Sequence, residues 1–358
     1  MDERFFYLPF VLCPQIGPSR FTKLLKYFGT AKEAFGADEK SLLASGIGQS
    51  SVGSLIDFRK TFSLEKCIQD LEKKHISFVT TQERDYPELL KEAAAPPLVL
   101  FYKGYADALK KRPTIGVVGT RKISSYGISV TQSFVKELVA AGCVIVSGLA
   151  FGVDSVAHEA TLAAQGVTIA VLGSGVDICS PVEHQRLYDR IIANNGIVVS
   201  AFPPGTVPSR FTFPARNSII AGLSEALLVT EAAADSGSLI TATAERRLSR
   251  PVCAVPGPVT HSLSVGTNML LREGSQVATG ADDILHAIKR KVHFETVRVK
   301  NALSLGQQEI LEALKCEDLH FDQIVRTIGK PASYIGSQLS MLELLGYIKN
   351  NGGIYSIV

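Results

Sequence analysis

From about Ser63 to Arg290 the chain alternates short β-rich apolar runs with small-residue turns and helical stretches. The clear strands are Thr114 to Val118, Cys143 to Val146, Thr168 to Leu172, Gly196 to Val199, Ala226 to Thr230 and Val252 to Val255. This alternation predicts a mostly parallel sheet with helices on both faces, an α/β domain of extended Rossmann-like type over residues 63–290. Ile76 to Thr80 and Leu98 to Tyr102 read as added strands ahead of the regular alternation.

The flanks follow other periods. Residues 1–62 read as short helices between glycine-marked turns, with Ile16-Gly17-Pro18 before Ser19 to Phe28 and Gly46-Ile47-Gly48 before Ser50 to Lys60. This pattern fits a small SAM-like or helix-hairpin-helix-like domain, in which amides at a helix start can meet a phosphate and Arg20, Lys23 and Lys26 add charge. A purely structural helical cap is the competing reading and the favoured one, because a short Gly-x-Gly turn is a weak signal. Residues 291–301 are charged and lack a turn-bounded apolar pattern, which suits a linker. Beyond them, helical periodicity through Leu305 to Leu314, Phe321 to Ile328 and Ala332 to Leu345 precedes a hairpin signal. Tyr347-Ile348-Lys349 and Ile354-Tyr355-Ser356 flank Asn350-Asn351-Gly352-Gly353, so residues 302–358 are expected to form a winged-helix domain.

Charge qualifies that last expectation. Residues 301–358 carry four basic and six acidic side chains, and the candidate recognition helix Ala332 to Leu345 has Glu343 and no Lys or Arg. Phosphate contact dominates DNA affinity, so this module is expected to meet protein rather than DNA. The whole-chain charge of +3 says little about partners, but residues 112–290 hold eleven arginines and three lysines, against six arginines and seventeen lysines elsewhere. Arginine forks fit phosphates bidentately, so the skew hints at phosphate recognition in the middle of the chain, although structural ion pairing could also consume it.

Composition then sets bounds. With 46% hydrophobic and 20% charged residues and no apolar run long enough to span a membrane, the expectation is a soluble protein without membrane attachment. The acidic start Met1-Asp2-Glu3-Arg4 does not read as a secretory signal, which favours the cytoplasm. Cys13, Cys67, Cys143, Cys179, Cys253 and Cys316 are scattered singly, without metal-site or disulfide spacing; neither a metal nor a cofactor is expected.

Ligands of open parallel sheets sit outside the carboxyl ends of the strands. Those turns read Gly119-Thr120-Arg121, Ser147-Gly148-Leu149-Ala150-Phe151-Gly152, Gly173-Ser174-Gly175, Phe202-Pro203-Pro204-Gly205, Glu231 through Ser236-Gly237-Ser238, and Pro256-Gly257. Gly, Ser and Thr at several consecutive edges allow close backbone approach and hydroxyl donation to phosphate. Any single turn of this kind is explained as a tight connection, whereas a row of them suits an extended polyanion. Arg210 and Arg216 bracket Phe211-Thr212-Phe213-Pro214-Ala215, the interleaving of cations with rings that stacking of unpaired bases requires. Core packing is the competing role for Phe213.

Five separated blocks carry a resemblance. Val118-Gly119-Thr120-Arg121 with Ser124 and Tyr126-Gly127 is followed by Ser147-Gly148-Leu149-Ala150 with Gly152, Asp154 and Ala157-His158. Then come Phe213-Pro214-Ala215-Arg216-Asn217-Ser218-Ile219-Ile220-Ala221-Gly222-Leu223-Ser224, Ser236-Gly237-Ser238-Leu239-Ile240-Thr241-Ala242, and Pro256-Gly257 with Gly266-Thr267-Asn268. In this order they resemble the signature of the DprA/Smf family, the DNA-processing A proteins. The resemblance implies a single-stranded DNA-binding protein, not an enzyme, that dimerises through its Rossmann domain. It also implies protection of incoming DNA and help in loading the RecA recombinase during natural transformation of competent cells. DNA-contact roles follow for Arg121, Arg210, Phe213, Arg216 and Asn217, with Gly119, Thr120, Ser147, Gly148, Gly173, Gly175, Ser236, Gly237 and Ser238 as the surrounding turn positions. Ser218 stands where many relatives carry a further arginine, so that charge is missing.

Two other classes share the fold. A nicotinamide oxidoreductase is disfavoured because Gly173-Ser174-Gly175 lacks the third spaced glycine and the second strand ends in Ser147 rather than an acid. A Walker-type ATPase is disfavoured because no Gly-Lys-Ser/Thr follows a strand. The serious rival is a nucleotide-hydrolysing enzyme, with Asp154, His158, Glu231 and Asp235 near strand ends as candidate acids and bases. Helix capping and loop fixing are the competing roles for those acids, and hydrogen-bonded packing is the competing role for His158.

Overall fold

The computed structural model describes residues 1–93, 95–288, 304–314, 318–344, 347–351 and 353–357. The chain divides into two units, Met1–Val292 and His293–Val358. The first is built on nine strands: β1 (Ser77–Thr80), β2 (Val99–Gly104), β3 (Thr114–Val118), β4 (Val144–Ser147), β5 (Thr168–Val171), β6 (Ile197–Ser200), β7 (Ala226–Val229), β8 (Val252–Ala254) and β9 (Gln276–Val277). They lie in the order β1-β2-β6-β5-β4-β3-β7-β8-β9. Strands β3 to β9 run parallel, while β2 pairs antiparallel with β6 and β1 antiparallel with β2. The expected added strands are thus an antiparallel edge on a parallel sheet.

Alternate residues of each strand feed opposite faces. On one face Ile115, Val117 and Ile145 pack with Phe134, Val135 and Leu138 of the helix Ser125–Ala140. On the other, Val118, Val144 and Val146 pack with Ile219, Ile220 and Leu223 of the helix Thr212–Leu223. From β3 the chain winds outward through β4, β5 and β6, then returns to the far side of β3 with β7, β8 and β9. The winding direction therefore reverses between β3 and β7. Loops leaving neighbouring strand ends diverge at such a reversal and open a crevice.

The N-terminal helices Pro18–Phe28 and Gln49–Thr61 stand where the sequence predicts helices. They share one apolar core with the sheet edge, in which Tyr7, Phe10, Phe21 and Leu24 join Phe78, Val99 and Phe101. The Arg20 guanidinium donates to the Gln15 carbonyl at 2.6 Å and the Lys23 ammonium to the Gly46 carbonyl at 3.5 Å. Arg20 thereby ties the helix Pro18–Phe28 to the turn before it and Lys23 ties that helix to the Gly46 turn, while Lys26 is exposed.

The second unit places the helices Leu305–Leu314, Phe321–Ile328 and Ala332–Leu344 against a small sheet of β10 (Leu319–His320), β11 (Ile348–Asn351) and β12 (Ile354–Ile357) in the order β10-β12-β11. Ile310, Leu314, Ile324, Ile335, Leu339, Leu342 and Ile348 form its core. Gly329 ends the middle helix at φ +69°, a left-handed turn that a glycine adopts without steric cost. This is the winged-helix pattern expected from the sequence. The expected linker, 291–301, lies outside the described residues.

Candidate nucleic-acid interface

The loops after β3, β4 and β7 meet at the reversal and are knitted there by backbone bonds. The Thr120 N–H donates to the Glu231 carbonyl at 2.7 Å, and the Thr120 carbonyl accepts from the Val153 N–H at 3.1 Å. Gly119 is required by the close approach, since a Cβ would lie 2.5 Å from Val153 Cγ2 and 2.6 Å from the Glu231 carbonyl oxygen. The Thr120 hydroxyl accepts from the Lys122 N–H at 3.1 Å. The loop thus holds Thr120 inside and leaves Arg121 and Lys122 exposed.

Glu231 anchors this junction from below. Buried at the end of β7, it accepts from the Ser124 N–H at 2.9 Å and the Ser124 hydroxyl at 2.7 Å. Ser124 in turn caps the helix Ser125–Ala140 by accepting from the Gly127 N–H at 3.1 Å. Beyond Glu231 the chain turns through Ser236 and Gly237 into the helix Ser238–Arg247. The Asn217 amide donates to the Gly237 carbonyl at 3.1 Å and braces that turn.

A cleft of about 600 Å³ opens above these loops. Gly119, Thr120, Arg121, Lys122, Arg210, Phe213, Arg216, Asn217, Ser236, Gly237 and Ser238 all line it. The first turn of the helix Ser238–Arg247 is part of its wall, so the positive end of the helix dipole adds to the charge of the arginines. Arg121 lies over the Phe213 ring with its guanidinium carbon 5.1 Å from the centroid, and Arg210 lies over Phe211 at 4.8 Å. Phe213 is half-buried rather than a core residue and leans on the end of β5, where a Cβ at Gly173 would come within 3.1 Å of its ring. Phe211 is 74% exposed.

Arg216 forms part of the cleft lining yet is only 4% exposed. Its Nη1 lies 3.4 Å from Asp154 Oδ2, and its Nε has no hydrogen-bond partner among the described residues. Burial raises the Asp154 pKa above the usual carboxylate value although Arg216 pulls it down, and burial likewise lowers that of Arg216. The site therefore holds a desolvated cation whose donors are incompletely matched. Gly148 makes room for it, since a Cβ there would stand 1.2 Å from Arg216 Nη1.

Several site residues expected from the sequence are placed by the structure in other roles. Ser147 is fully buried, with its hydroxyl donating to the Val117 carbonyl at 2.6 Å, so it braces two strands and offers no donor to the cleft. Gly148, Gly173 and Gly175 are buried as well. Gly148 accommodates Arg216 and Gly173 supports Phe213. Gly175 packs among loops, where a Cβ would lie 2.6 Å from the Pro203 carbonyl oxygen and 2.7 Å from Asp177 Oδ1. Arg216 sits beneath the surface, unlike the exposed Arg121 and Arg210, because it is drawn onto Asp154. Lys122, which sequence reasoning passed over, belongs to the lining; its position directly after Arg121 was the available signal.

The candidate catalytic groups are also placed. His158 is fully buried, its Nδ1 2.7 Å from the Thr168 hydroxyl, and burial pushes its pKa down to about 3. Asp154 faces Arg216 and Glu231 is occupied by Ser124. Asp235 is exposed and lines the cleft.

Fold and site together define a Rossmann-type platform with an arginine-and-aromatic cleft at its switch point and a separate winged-helix unit. A family model described as DNA recombination-mediator protein A matches residues 77–289, and one described as the DprA winged helix domain matches residues 295–353. The chain is 30% identical to Protein Smf of Synechocystis sp. over a gapped alignment of 391 positions, covering 99% of this chain and 98% of that protein. It is 44% identical to the DNA processing protein DprA of Streptococcus pneumoniae over 204 residues, 56% of this chain and 70% of that protein. The X-ray structure of the S. pneumoniae protein superposes with a TM-score of 0.69 at 32% identity, covering 80% of this chain and 98% of that one. A Helicobacter pylori DprA structure, described by its single-stranded DNA binding mode, gives a TM-score of 0.55 at 27% identity, covering 62% of this chain and 99% of that one. The chain belongs to the DNA recombination-mediator protein A (DprA/Smf) family. None of its described helices is long and apolar enough to cross a membrane.

Proposed function

We propose that this protein binds single-stranded DNA along the strand-end cleft, as a binding protein rather than a catalyst. The observation that carries this reading is the Arg121–Phe213 pair set beside a buried, under-matched Arg216. Arg121, Lys122 and Arg210 take phosphates, while Phe213 and the guanidinium plane of Arg121 take bases, since both rings and guanidinium planes stack unpaired bases. Ser236, Gly237 and Ser238, braced by Asn217, offer the DNA backbone the positive end of a helix. Gly119 and Thr120 line the cleft, while Gly148 and Gly173 make room for Arg216 and Phe213. The single-stranded DNA binding described for the H. pylori relative supports this assignment.

On the same reading the protein is a cytoplasmic homodimer joined through the Rossmann unit. It protects incoming DNA and helps load RecA during natural transformation and recombination. The division proposed is a helical domain over 1–62, the DNA-binding domain over 63–290, a linker over 291–301 and the winged helix over 302–358. Competition between matched single-stranded and duplex oligonucleotides tests the assignment. Preference for the single strand with little dependence on sequence is expected; equal affinity would refute it. Turnover of nucleoside monophosphates that persists through purification and disappears in Asp235→Asn would favour the hydrolase instead.

A further inference from the structure

The loop after β4 carries an aromatic ring that the cleft does not include. Phe151 is 45% exposed, yet it is not loose. It packs against the His184 ring in a T-shaped arrangement, with centroids 4.8 Å apart and planes at 64°. His184 is itself fixed, its Nδ1 2.8 Å from the Leu149 carbonyl oxygen, on the short turn Val182–His184 beyond β5. The loop that presents Phe151 is contorted on both sides of it, with Leu149 at φ +59° and Gly152 at φ +80°. A buried leucine in the left-handed region persists only where its surroundings over-determine it.

The same loop touches the cleft. Ala150 lines it, and a Cβ at Gly152 would come 2.2 Å from the Thr120 carbonyl oxygen and 2.9 Å from Arg121 Cα. β3 and β4 are neighbours in the sheet, about 5 Å apart as paired strands are, so Phe151 follows Arg121 one strand further along the row of strand ends. The loop after β4 lies between the ends of β3 and β5, so Phe151 has the cation–ring pair of Arg121 with Phe213 as its neighbour, and the pair of Arg210 with Phe211 follows from the loop after β6.

We propose that Phe151, braced by His184, is a further base-stacking step of the platform, receiving the nucleobase that follows the one held at Arg121 and Phe213. The inference rests on the single-strand reading above. A ring braced by a neighbouring ring yet 45% exposed keeps surface available for stacking and loses little freedom when a base arrives.

The chain contains no tryptophan, so Phe151→Trp in the full-length protein is a unique fluorophore at this position. Titration with an oligothymidylate of about 15 nucleotides should quench its emission, saturating together with the anisotropy of the labelled oligonucleotide. Phe151→Ala should weaken binding about tenfold, roughly 1.4 kcal/mol, without changing the salt slope. Phe151→Tyr should retain most of the affinity, and His184→Ala should lose less than Phe151→Ala. Phe213→Ala, measured in parallel, separates the two claims. If the parent binds and Phe213→Ala weakens it, while Phe151→Trp emission stays constant at saturation and Phe151→Ala binds like the parent, the Phe151 step is wrong and the platform stands. If the parent fails to bind the oligonucleotide, the platform itself is wrong. Sedimentation velocity supplies the remaining check: a dimer lost in Phe151→Ala would reassign the ring to a subunit contact and overturn the inference.

Discussion

The strand-end cleft and the winged-helix unit both belong to architectures that bind nucleic acid, yet they dispose their cations differently. In the cleft, Arg121 and Arg210 lie over rings, and the buried Arg216 keeps part of its donor capacity unmatched. A cation over a ring remains a cation to an incoming phosphate. In the second unit Lys330 is paired with Glu309 and lies 5.5 Å from the Tyr334 ring centroid. The helix Ala332–Leu344, which would enter a groove in a DNA-binding winged helix, has no basic residue at all. Fold class alone does not separate the two units, whereas the placement of charge favours the cleft as the proposed DNA site.

The largest test of this contrast removes the buried cation. Arg216→Ala leaves Asp154 in the interior without its partner, which should cost about 3–5 kcal/mol of stability in urea unfolding. The pH dependence has a definite sign. Burial already raises the Asp154 pKa, and loss of Arg216 raises it further, so the variant's stability should fall as pH rises above the unfolded carboxylate range. Its deficit should accordingly be greater at pH 7 than near pH 4. An equal deficit at both would mean that lost packing, not an unpaired charge, explains the loss. Removing Lys330, whose pair with Glu309 is exposed, should leave stability nearly unchanged.

Smaller effects separate rings from cations within the cleft. Phe213→Ala should weaken single-strand binding by roughly 1–3 kcal/mol with little change in its salt dependence. Arg121→Ala and Arg210→Ala should each reduce the salt slope by up to about 0.7, as loss of one phosphate contact requires. Unchanged affinity in all three folded variants would move the site elsewhere and dissolve the contrast.

The sequence was most informative where one physical cause dominates. Buried parallel strands require apolar runs, so β3 to β8 were predicted to within a residue or two at each end. The Asn350 to Gly353 turn likewise marked the wing. β9 went unread because its residues, Gln276 and Val277, are both exposed and form no apolar run. The strand-end glycines were harder, because close approach to a ligand and close approach to a neighbouring loop demand the same residue. Gly148 illustrates this: its missing Cβ is filled by Arg216, a residue 68 positions away in the chain, and no local pattern shows that distance collapsing. Ser147 had a donor of the right kind, but only the sheet pairing directs that donor to Val117. Phe151 reads in sequence as one more apolar residue in a turn, and only its exposure distinguishes it.

The smallest expected effect bears on the other half of the comparison. A chain ending at Val292 retains the whole first unit, including every residue that lines the cleft. If the cleft supplies the affinity, this truncation should keep most single-strand binding at constant salt, provided it remains folded and retains the oligomeric state of the full chain. The second unit retains two routes to DNA. Lys349 is exposed on β11, and Lys330, though paired, lies just before the helix Ala332–Leu344. Each contact is weak, but in a dimer both copies act at high effective concentration. A loss of tenfold or more, about 1.4 kcal/mol, with the oligomer intact would show that the winged unit contributes substantially to DNA binding. A smaller loss would leave its exposed Tyr334, Met341, Ile354 and Ile357 as the better guide to its partner, since apolar side chains of that size suit a protein surface more than a phosphate backbone.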